Sequence, residues 1–210
     1  MKRSRKAILA TAYHEAGHVV AAHFLDIPIR SVTIVPKGDA YGYVTRRGYA
    51  FNKREREILE CGGFGKQLAV LRARVEDYAI YCMAGNIAQC HFAPGSSRVH
   101  HWASDRDSAM EGMQRLAFDN AFQSQRPMDR EALRLWWRCL YRVGENLLSR
   151  EVFRHAVRAL ARALMAQPTM QEADAKQVMY DAWRIQLQTG RLGPPRRLAS
   201  GSPSRGRGRR

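Results

Sequence analysis

Apolar residues recur at helical spacing over the first 25 residues of the chain. They lie in a run of strong helix formers without proline, and they are Ile8, Leu9, Ala12, Ala16, Val19, Val20 and Phe24. Spacings of three and four residues place such side chains on one face of a helix. The pattern therefore predicts an amphipathic helix over about 4–25, ended by Asp26 and Pro28.

The next segment changes to the alternation of a β-strand. Within 29–35, Val32 and Ile34 alternate with the polar Thr33, and residues 36–39 have the composition of a turn. We therefore predict two short strands, over 29–35 and 41–45, joined by that turn.

Helical patterns dominate the rest of the chain. A long helix is predicted over about 66–92, and a loop that opens at Pro94 precedes a helix expected to begin near Asp105. Ser104 lies three residues before Asp107, which is the spacing of a capping box. Three further helical stretches, at about 130–148, 150–166 and 169–188, predict an all-helical second half.

These elements predict one α+β domain, mainly α-helical, over residues 1–190. In it a small β element follows the first helix, and a helical bundle completes the C-terminal half. A chain of 210 residues can bury one sizeable hydrophobic core. Residues 191–210 are rich in Arg, Gly, Ser and Pro and have little to bury, which predicts a disordered basic tail.

The charge of the chain is concentrated at its ends. Of the formal net charge of +16, seven arginines lie in 191–210 and four basic residues lie in the first six positions, which leaves +5 for the remainder. The tail has the composition of an electrostatic binder of nucleic acid or an anionic surface, although a solvated tail fits equally well. The body itself is only moderately basic.

The composition places the chain among soluble globular proteins. The basic start resembles a secretory signal, but His14, Glu15 and His18 interrupt the apolar region that follows. No stretch approaches the roughly 18–20 apolar residues of a membrane-spanning helix. The four cysteines form no CxxC pair, so we interpret them as reduced structural thiols in a soluble, cytoplasmic protein.

The candidate chemistry is the HExxH motif formed by residues 14–18. On a helix, His14 and His18 project from nearly the same face one turn apart and can converge on one Zn²⁺. Glu15 lies next to the first histidine and can take the proton of a zinc-bound water that attacks a peptide bond. Catalytic zinc sites use three protein ligands, so a third ligand must come from elsewhere in the chain.

Four segments, beginning with the one that carries this motif, resemble the peptidase part of the FtsH family, the ATP-dependent zinc metalloproteases also classed as peptidase M41. They occur in the family's order, and they are residues 12–18 (AYHEAGH), 32–43 (VTIVPKGDAYGY), 84–89 (AGNIAQ) and 103–109 (ASDRDSA). The resemblance covers most of residues 7–120. It implies a zincin-like helix, a bound Zn²⁺ and cleavage of protein or peptide substrates.

The resemblance also implies the third zinc ligand. In that family it is an aspartate at the start of the helix in the last segment, and Asp105 matches because Ala109 follows it by four residues. Asp107 is the alternative, although the capping box gives it another role. His23, His100 and His101 are further candidates for substrate contact, with solvent-facing or packing roles as the simpler interpretation.

The chain departs from the family's pattern in two respects. Asn86 and Gln89 stand where the family usually has Arg and Glu, which weakens any orienting effect that relies on a carboxylate charge. No GxxxxGK[ST] sequence occurs, so the resemblance extends to the peptidase domain without the AAA+ ATPase domain. A separate AAA+ ATPase is therefore a candidate partner, and the sequence leaves homo-oligomerisation open.

Two functions remain after these observations. The first is a zinc metalloendopeptidase that hydrolyses unfolded or flexible protein segments, with Glu15 catalytic and with His14, His18 and Asp105 holding the metal. The alternative is a zinc-binding protein of weak or no activity that acts as a binding module, with nucleic-acid contact through its basic ends. Cleavage that depends on Glu15 distinguishes the two.

Overall fold

The computed structural model describes residues 3–47, 51, 53, 55, 57–58, 66–96, 103–124 and 130–188, with the side chains of 117–124 excepted. The helices are α1 (Arg5–Phe24), α2 (Lys66–Phe92), α3 (Ala103–Ser124), α4 (Arg130–Ser149), α5 (Glu151–Ala166) and α6 (Glu172–Gln188). The strands are β1 (Ile29–Thr33), β2 (Tyr43–Arg46) and β3 (Thr169–Gln171). The predicted α+β, mainly helical class is confirmed. The predicted tail at 191–210 lies outside the described residues.

The first helix begins and ends where the sequence predicts, because both of its ends carry recognisable caps. The side chain of Ser4 accepts a hydrogen bond from the Ala7 amide at 3.2 Å. At the other end Asp26 has a positive φ of 52°, and the Ile27 amide donates to the Ala22 carbonyl at 2.8 Å. This is the bond of a Schellman motif, which turns the chain out of the helix and towards β1.

The amphipathic character predicted for α1 is wrong. Every residue from 14 to 22 is buried, so the C-terminal half of the helix is covered on all sides. Helices α2 and α5 pack against it, and β1 follows it into the same core. Small side chains such as Ala16 and Gly17 allow this close packing, and α1 is thus the central element of the fold.

The contact between α1 and α2 is closest at Gly17. A Cβ atom at this position would lie 2.5 Å from the Ala84 carbonyl oxygen and 2.6 Å from the Ala88 Cβ. Both neighbours belong to the backbone or to a short side chain of α2, so neither can turn away. Gly17 therefore sets the distance between the two helices that carry most of the site described below.

We expect Gly17→Ala to lower the free energy of unfolding by about 2 kcal/mol, because the added methyl group forces α1 and α2 apart. Gly144→Ala is the matched control, since its Cβ would meet only side-chain atoms, the end of Ile87 at 3.0 Å and Ile80 Cγ2 at 3.6 Å. Urea unfolding of both variants measures the difference. Equal destabilisation would contradict the role assigned to Gly17.

The small sheet has the order β2-β1-β3, and both pairs are antiparallel. The two strands predicted after the first helix are confirmed, and so is their turn, in which Lys37 and Ala40 exchange backbone hydrogen bonds. The all-helical second half is wrong at 169–171, where β3 pairs with β1 before α6 begins. A strand of three residues is too short to produce an alternating pattern.

The remaining helices lie close to their predicted positions. The long helix α2 covers 66–92 as predicted, and α4 and α5 agree to within a residue at each end. Helix α3 begins at Ala103, two residues before the predicted start. None of the helices in the described residues is both long and apolar enough to cross a membrane.

Candidate metal centre

The three residues of the HExxH motif lie in the buried half of α1. His14, Glu15 and His18 are 7%, 4% and 4% exposed, so all three side chains are held inside the protein. Buried polar groups require partners, because an unpaired group loses its hydrogen bonds to water without replacement. The partners come from α2 and α3.

Three ligand atoms from two distant parts of the chain converge at this point. His14 Nε2 lies 3.1 Å from His18 Nε2, and Asp105 Oδ2 lies 3.1 Å from the first and 3.3 Å from the second. These three atoms could together hold a metal ion. Among the described residues, this is the one group of three or more His, Cys, Asp or Glu side chains close enough to do so. The structure thus brings together the three residues selected from the sequence as ligands.

The other ring nitrogen of each histidine is engaged outside the group. His18 Nδ1 lies 2.9 Å from the Tyr81 carbonyl oxygen, which can only accept a hydrogen bond, so Nδ1 carries the proton. His14 Nδ1 lies 3.1 Å from Gln89 Oε1, which accepts in the same way. In the neutral form of each ring, Nε2 is thereby left with a lone pair directed to the centre of the group, as a metal ligand requires.

The amide of Gln89 is itself held in place by Ser96, in the loop that follows α2. Its Nε2 lies 3.2 Å from the Ser96 carbonyl oxygen and donates to it, which turns Oε1 towards His14. A neutral amide thus occupies the place where a carboxylate was expected from the family pattern. It provides the orienting hydrogen bond without the negative charge. Asn86 does not take this position, because it accepts a hydrogen bond from Cys90 at 3.6 Å on the same helix.

Asp105 and Asp107 lie in different surroundings. The side chain of Asp105 is 27% exposed and faces the two histidines, whereas that of Asp107 is 69% exposed and lies 3.3 Å from Arg106. The capping box predicted for Ser104 and Asp107 is wrong, because α3 already begins at Ala103 and Ser104 lies within the helix. Asp105 therefore joins the group from the first turn of α3, and Asp107 does not.

The charges in the group shift the pKa values of Asp105 and His18. Burial opposes the charge of Asp105, but His18 and hydrogen bonds from both histidines outweigh it and lower the pKa of Asp105. Burial likewise opposes the charge of His18, but Asp105 raises its pKa to about 9.

Glu15 lies outside the group of ligands but close enough to be affected by its charges. Burial raises the pKa of Glu15, and the positive charges of His14 and His18 partly offset this effect. A carboxyl group with a raised pKa binds a proton more readily than one in water, which suits a residue that must accept and release protons near neutral pH.

Two glycines shape the space around these side chains. A Cβ at Gly85 of α2 would overlap His18 Nε2 and lie 2.8 Å from His14 Nε2, and a Cβ at Gly42 would lie 2.8 Å from Glu15 Oε1. Arg3 fixes the hairpin that carries Gly42, because its guanidinium donates to the carbonyls of Ile34 and Tyr41 at 2.9 and 3.1 Å. Motif spacing does not identify these residues, since their role depends on contacts between distant segments.

The other histidines proposed from the sequence have different positions. His23 packs among the rings of Phe24, Tyr180 and Trp183 and is not part of the ligand group. His100 and His101 lie outside the described residues. Of the cysteines, Cys82 is buried as expected, whereas Cys90 and Cys139 are exposed.

The ligand atoms fit a zinc ion in type and in spacing. Two imidazole nitrogens and one carboxylate oxygen are ordinary zinc ligands, and tetrahedral ligands at roughly 2.0–2.1 Å from zinc lie about 3.3 Å apart. The observed separations of 3.1–3.3 Å agree with this spacing. The group supplies three ligands, so a fourth position is left for water or substrate.

Comparison with known proteins finds short regions of similarity to zinc proteases. A segment of 39 residues is 56% identical to the ATP-dependent zinc metalloprotease FtsH of Thermus thermophilus, and it covers 18% of this chain and 6% of that protein. A segment of 42 residues is 50% identical to FtsH 3 of Symbiobacterium thermophilum, with coverage of 19% and 7%. FtsH of Veillonella parvula matches at 54% over 35 residues, with coverage of 16% and 6%.

These matches support a link to FtsH zinc metalloproteases over a limited region. The chain matches less than a tenth of the length of each relative. No model of a known protein family matches the chain.

Proposed function

We propose that this protein is a zinc-dependent metalloendopeptidase of the FtsH type. The observation that carries the proposal is the convergence of His14 Nε2, His18 Nε2 and Asp105 Oδ2 beside the buried carboxyl group of Glu15. His14, His18 and Asp105 are the ligands, and Glu15 is the general base and acid. The similarity to zinc metalloproteases supports the same assignment.

The chemistry divides between the metal and the protein. Zinc, when bound, supplies the Lewis acidity that lowers the pKa of water and polarises the scissile carbonyl. Glu15 takes the proton of the attacking water and later gives it to the leaving amine. Gln89 and the Tyr81 carbonyl hold the imidazole rings in orientation, and the close approach of Gly42 restricts the movement of Glu15.

An extended substrate fits the edge of the sheet at β2. Strand β1, which follows α1, is the central strand and is paired on both sides, so it has no free edge for a peptide. Strand β2 has its outer edge unpaired among the strands described, and Gly42, directly before it, lies against Glu15. A peptide added to β2 would therefore pass beside the catalytic carboxyl group.

The proposed substrates are unfolded or flexible protein segments, because pairing with a strand edge requires an extended backbone. The relatives are named as ATP-dependent proteases. We accordingly propose that a separate AAA+ ATPase is a candidate partner that delivers substrates to this chain.

Metal removal provides the direct test of the proposal. We expect the purified protein to contain one zinc per chain and to cleave casein, and we expect cleavage to stop after treatment with a chelator and to return when zinc is added. Casein is a suitable probe because it is unfolded. Absence of zinc, or cleavage that is insensitive to the chelator, would contradict the proposal.

The third ligand can be tested with a matched pair of variants. We expect Asp105→Asn to weaken zinc binding by more than the roughly 10–100-fold that follows loss of an outer hydrogen-bond partner. Asp107→Asn should bind zinc as the wild type does, because its side chain is exposed and faces Arg106. Zinc titration against a competing chelator measures both. A larger loss in Asp107→Asn would reassign the ligand.

A further inference from the structure

Between residues 130 and 162 the chain has no lysine, and its arginines are spaced at multiples of four residues. The α4 row consists of Arg130, Arg134, Arg138 and Arg142, and the α5 row consists of Arg150, Arg154, Arg158 and Arg162. The same segment has three acidic residues. Such regular placement on two consecutive helices concentrates positive charge well away from the chain's basic ends.

Each row winds slowly around its helix, starting beside the buried face. A step of four residues advances about 6 Å along a helix and turns it by only about 40° beyond one full turn. On α5 the row runs beside a buried face that includes Phe153, Val157 and Leu160, and on α4 it runs beside one that includes Leu140 and Leu147. Three such steps turn by about 120°, so each row begins near the margin of the core and ends on the solvent-facing side of its helix, where Arg142 and Arg162 are exposed.

Both rows border the C-terminal turn of α2. The guanidinium of Arg158 lies 5.2 Å from the centre of the Phe92 ring. Burial lowers the pKa of His91, and the charges of Arg154 and Arg158 lower it further.

On the other side, Tyr141 in α4 lies against Asn86 and Cys90 of α2. Burial raises the pKa of Tyr141, Cys90 raises it further, and a hydrogen bond with Asn86 partly offsets the rise. Tyr141 directly precedes Arg142 and lies one turn after Arg138. Tyr141 and Arg158 thus place α4 and α5 against the same end of α2.

The rows are left largely without acidic partners. Among the described residues, Glu145 is the one acid at salt-bridge distance from a row arginine, 2.7 Å from Arg142. Several arginines on other helices are paired: Arg72 with Glu76, Arg115 with Glu111 and Arg184 with Asp181. The positive charge of this surface is therefore available to an external anion.

We propose that the α4 and α5 rows form a binding surface for the phosphate backbone of nucleic acid. Arginine presents a planar fork of donors that matches phosphate oxygens, whereas lysine acts as a point charge, and the rows contain no lysine. An anionic membrane fits less well. Binding to it would favour exposed apolar side chains beside the charges of both rows. Leu135 and Val143 of α4 are exposed beside the α4 row, but none of the large exposed apolar residues described lies on α5.

The dependence of binding on salt provides the test. Full-length protein is titrated against a fluorescent single-stranded RNA at several salt concentrations, and the slope of log K against log salt reports the number of phosphate contacts. The row variant replaces the exposed Arg134, Arg138 and Arg162 by Gln. We expect its slope to be smaller by about 2 than that of the wild type, at about 0.7 for each lost contact to a single strand.

A control variant separates the surface from overall charge and from the basic tail. It replaces Arg30, Arg115 and Arg184 by Gln, which removes the same charge from other elements and keeps residues 191–210 unchanged. We expect the control to keep the wild-type slope.

Equal slopes in the wild type and the row variant would overturn the proposal, and so would equal decreases in both variants. Binding of the wild type to vesicles with anionic lipid, with loss in the row variant and no binding of RNA, would instead assign the surface to membranes. It would overturn the proposal as well. Circular dichroism confirms that both variants are folded.

Discussion

Glu15→Gln is expected to abolish cleavage of casein while zinc remains bound at the wild-type level. The substitution keeps the size of the side chain and removes its ability to take and return a proton. General acid–base catalysis contributes about 10²–10⁴-fold to rates of this kind, so the loss should fall in or above that range. Glu15 lies outside the group formed by His14, His18 and Asp105, so the ligands themselves are unchanged.

Three measurements make this expectation specific. Zinc content, thermal stability and cleavage are compared between the wild type and Glu15→Gln, with Asp107→Asn as a control of equal charge change at an exposed site. Cleavage lost in Glu15→Gln alone, at equal zinc and stability, supports the proposed role. If Glu15→Gln cleaves as well as the wild type, Glu15 is not the general base, and a protein that binds zinc without Glu15-dependent cleavage would fit the binding-module alternative.

The local part of the site was predictable because helical geometry fixes it. His14 and His18 are four residues apart on a helix with a recognisable start and end, so their convergence follows from spacing alone. Asp105 lies 91 residues from His14 and could be found only through the resemblance to a family. The structure places it in the group, and no pattern within this single sequence would have selected it over Asp107.

The errors in the sequence analysis arise where tertiary contacts decide. Strand β3 forms because residues 169–171 pair with β1, not because they have a strand pattern of their own. The burial of the C-terminal half of α1 on all sides depends on α2 and α5, which begin far along the chain. The importance of Gly85 depends in the same way on contact with His18 from another helix.

Gly85→Ala is expected to prevent zinc binding, and cleavage should be lost with it. The added methyl group would overlap His18 Nε2 and lie 2.8 Å from His14 Nε2, which are the two atoms that must face the metal. The His18 ring cannot turn away without losing its hydrogen bond to the Tyr81 carbonyl. Movement of α2 away from α1 would in turn give up the close packing of Ala84 and Ala88 against Gly17. The methyl group therefore displaces an imidazole from the ligand group.

Gly112→Ala makes the same change inside a helix without the same contact. Its Cβ would meet Val75 Cγ1 at 3.7 Å, an ordinary van der Waals distance, and alanine is the better helix former by about 1 kcal/mol. We expect this variant to bind zinc and to cleave casein as the wild type does. Zinc titration of the two variants tests the contact, with circular dichroism to confirm that Gly85→Ala is folded. Wild-type zinc affinity in Gly85→Ala would mean that the two histidines are not held against α2 when they bind the metal. The ligand geometry inferred from His14, His18 and Asp105 would then be wrong in the bound state, even if the same residues supply the ligands.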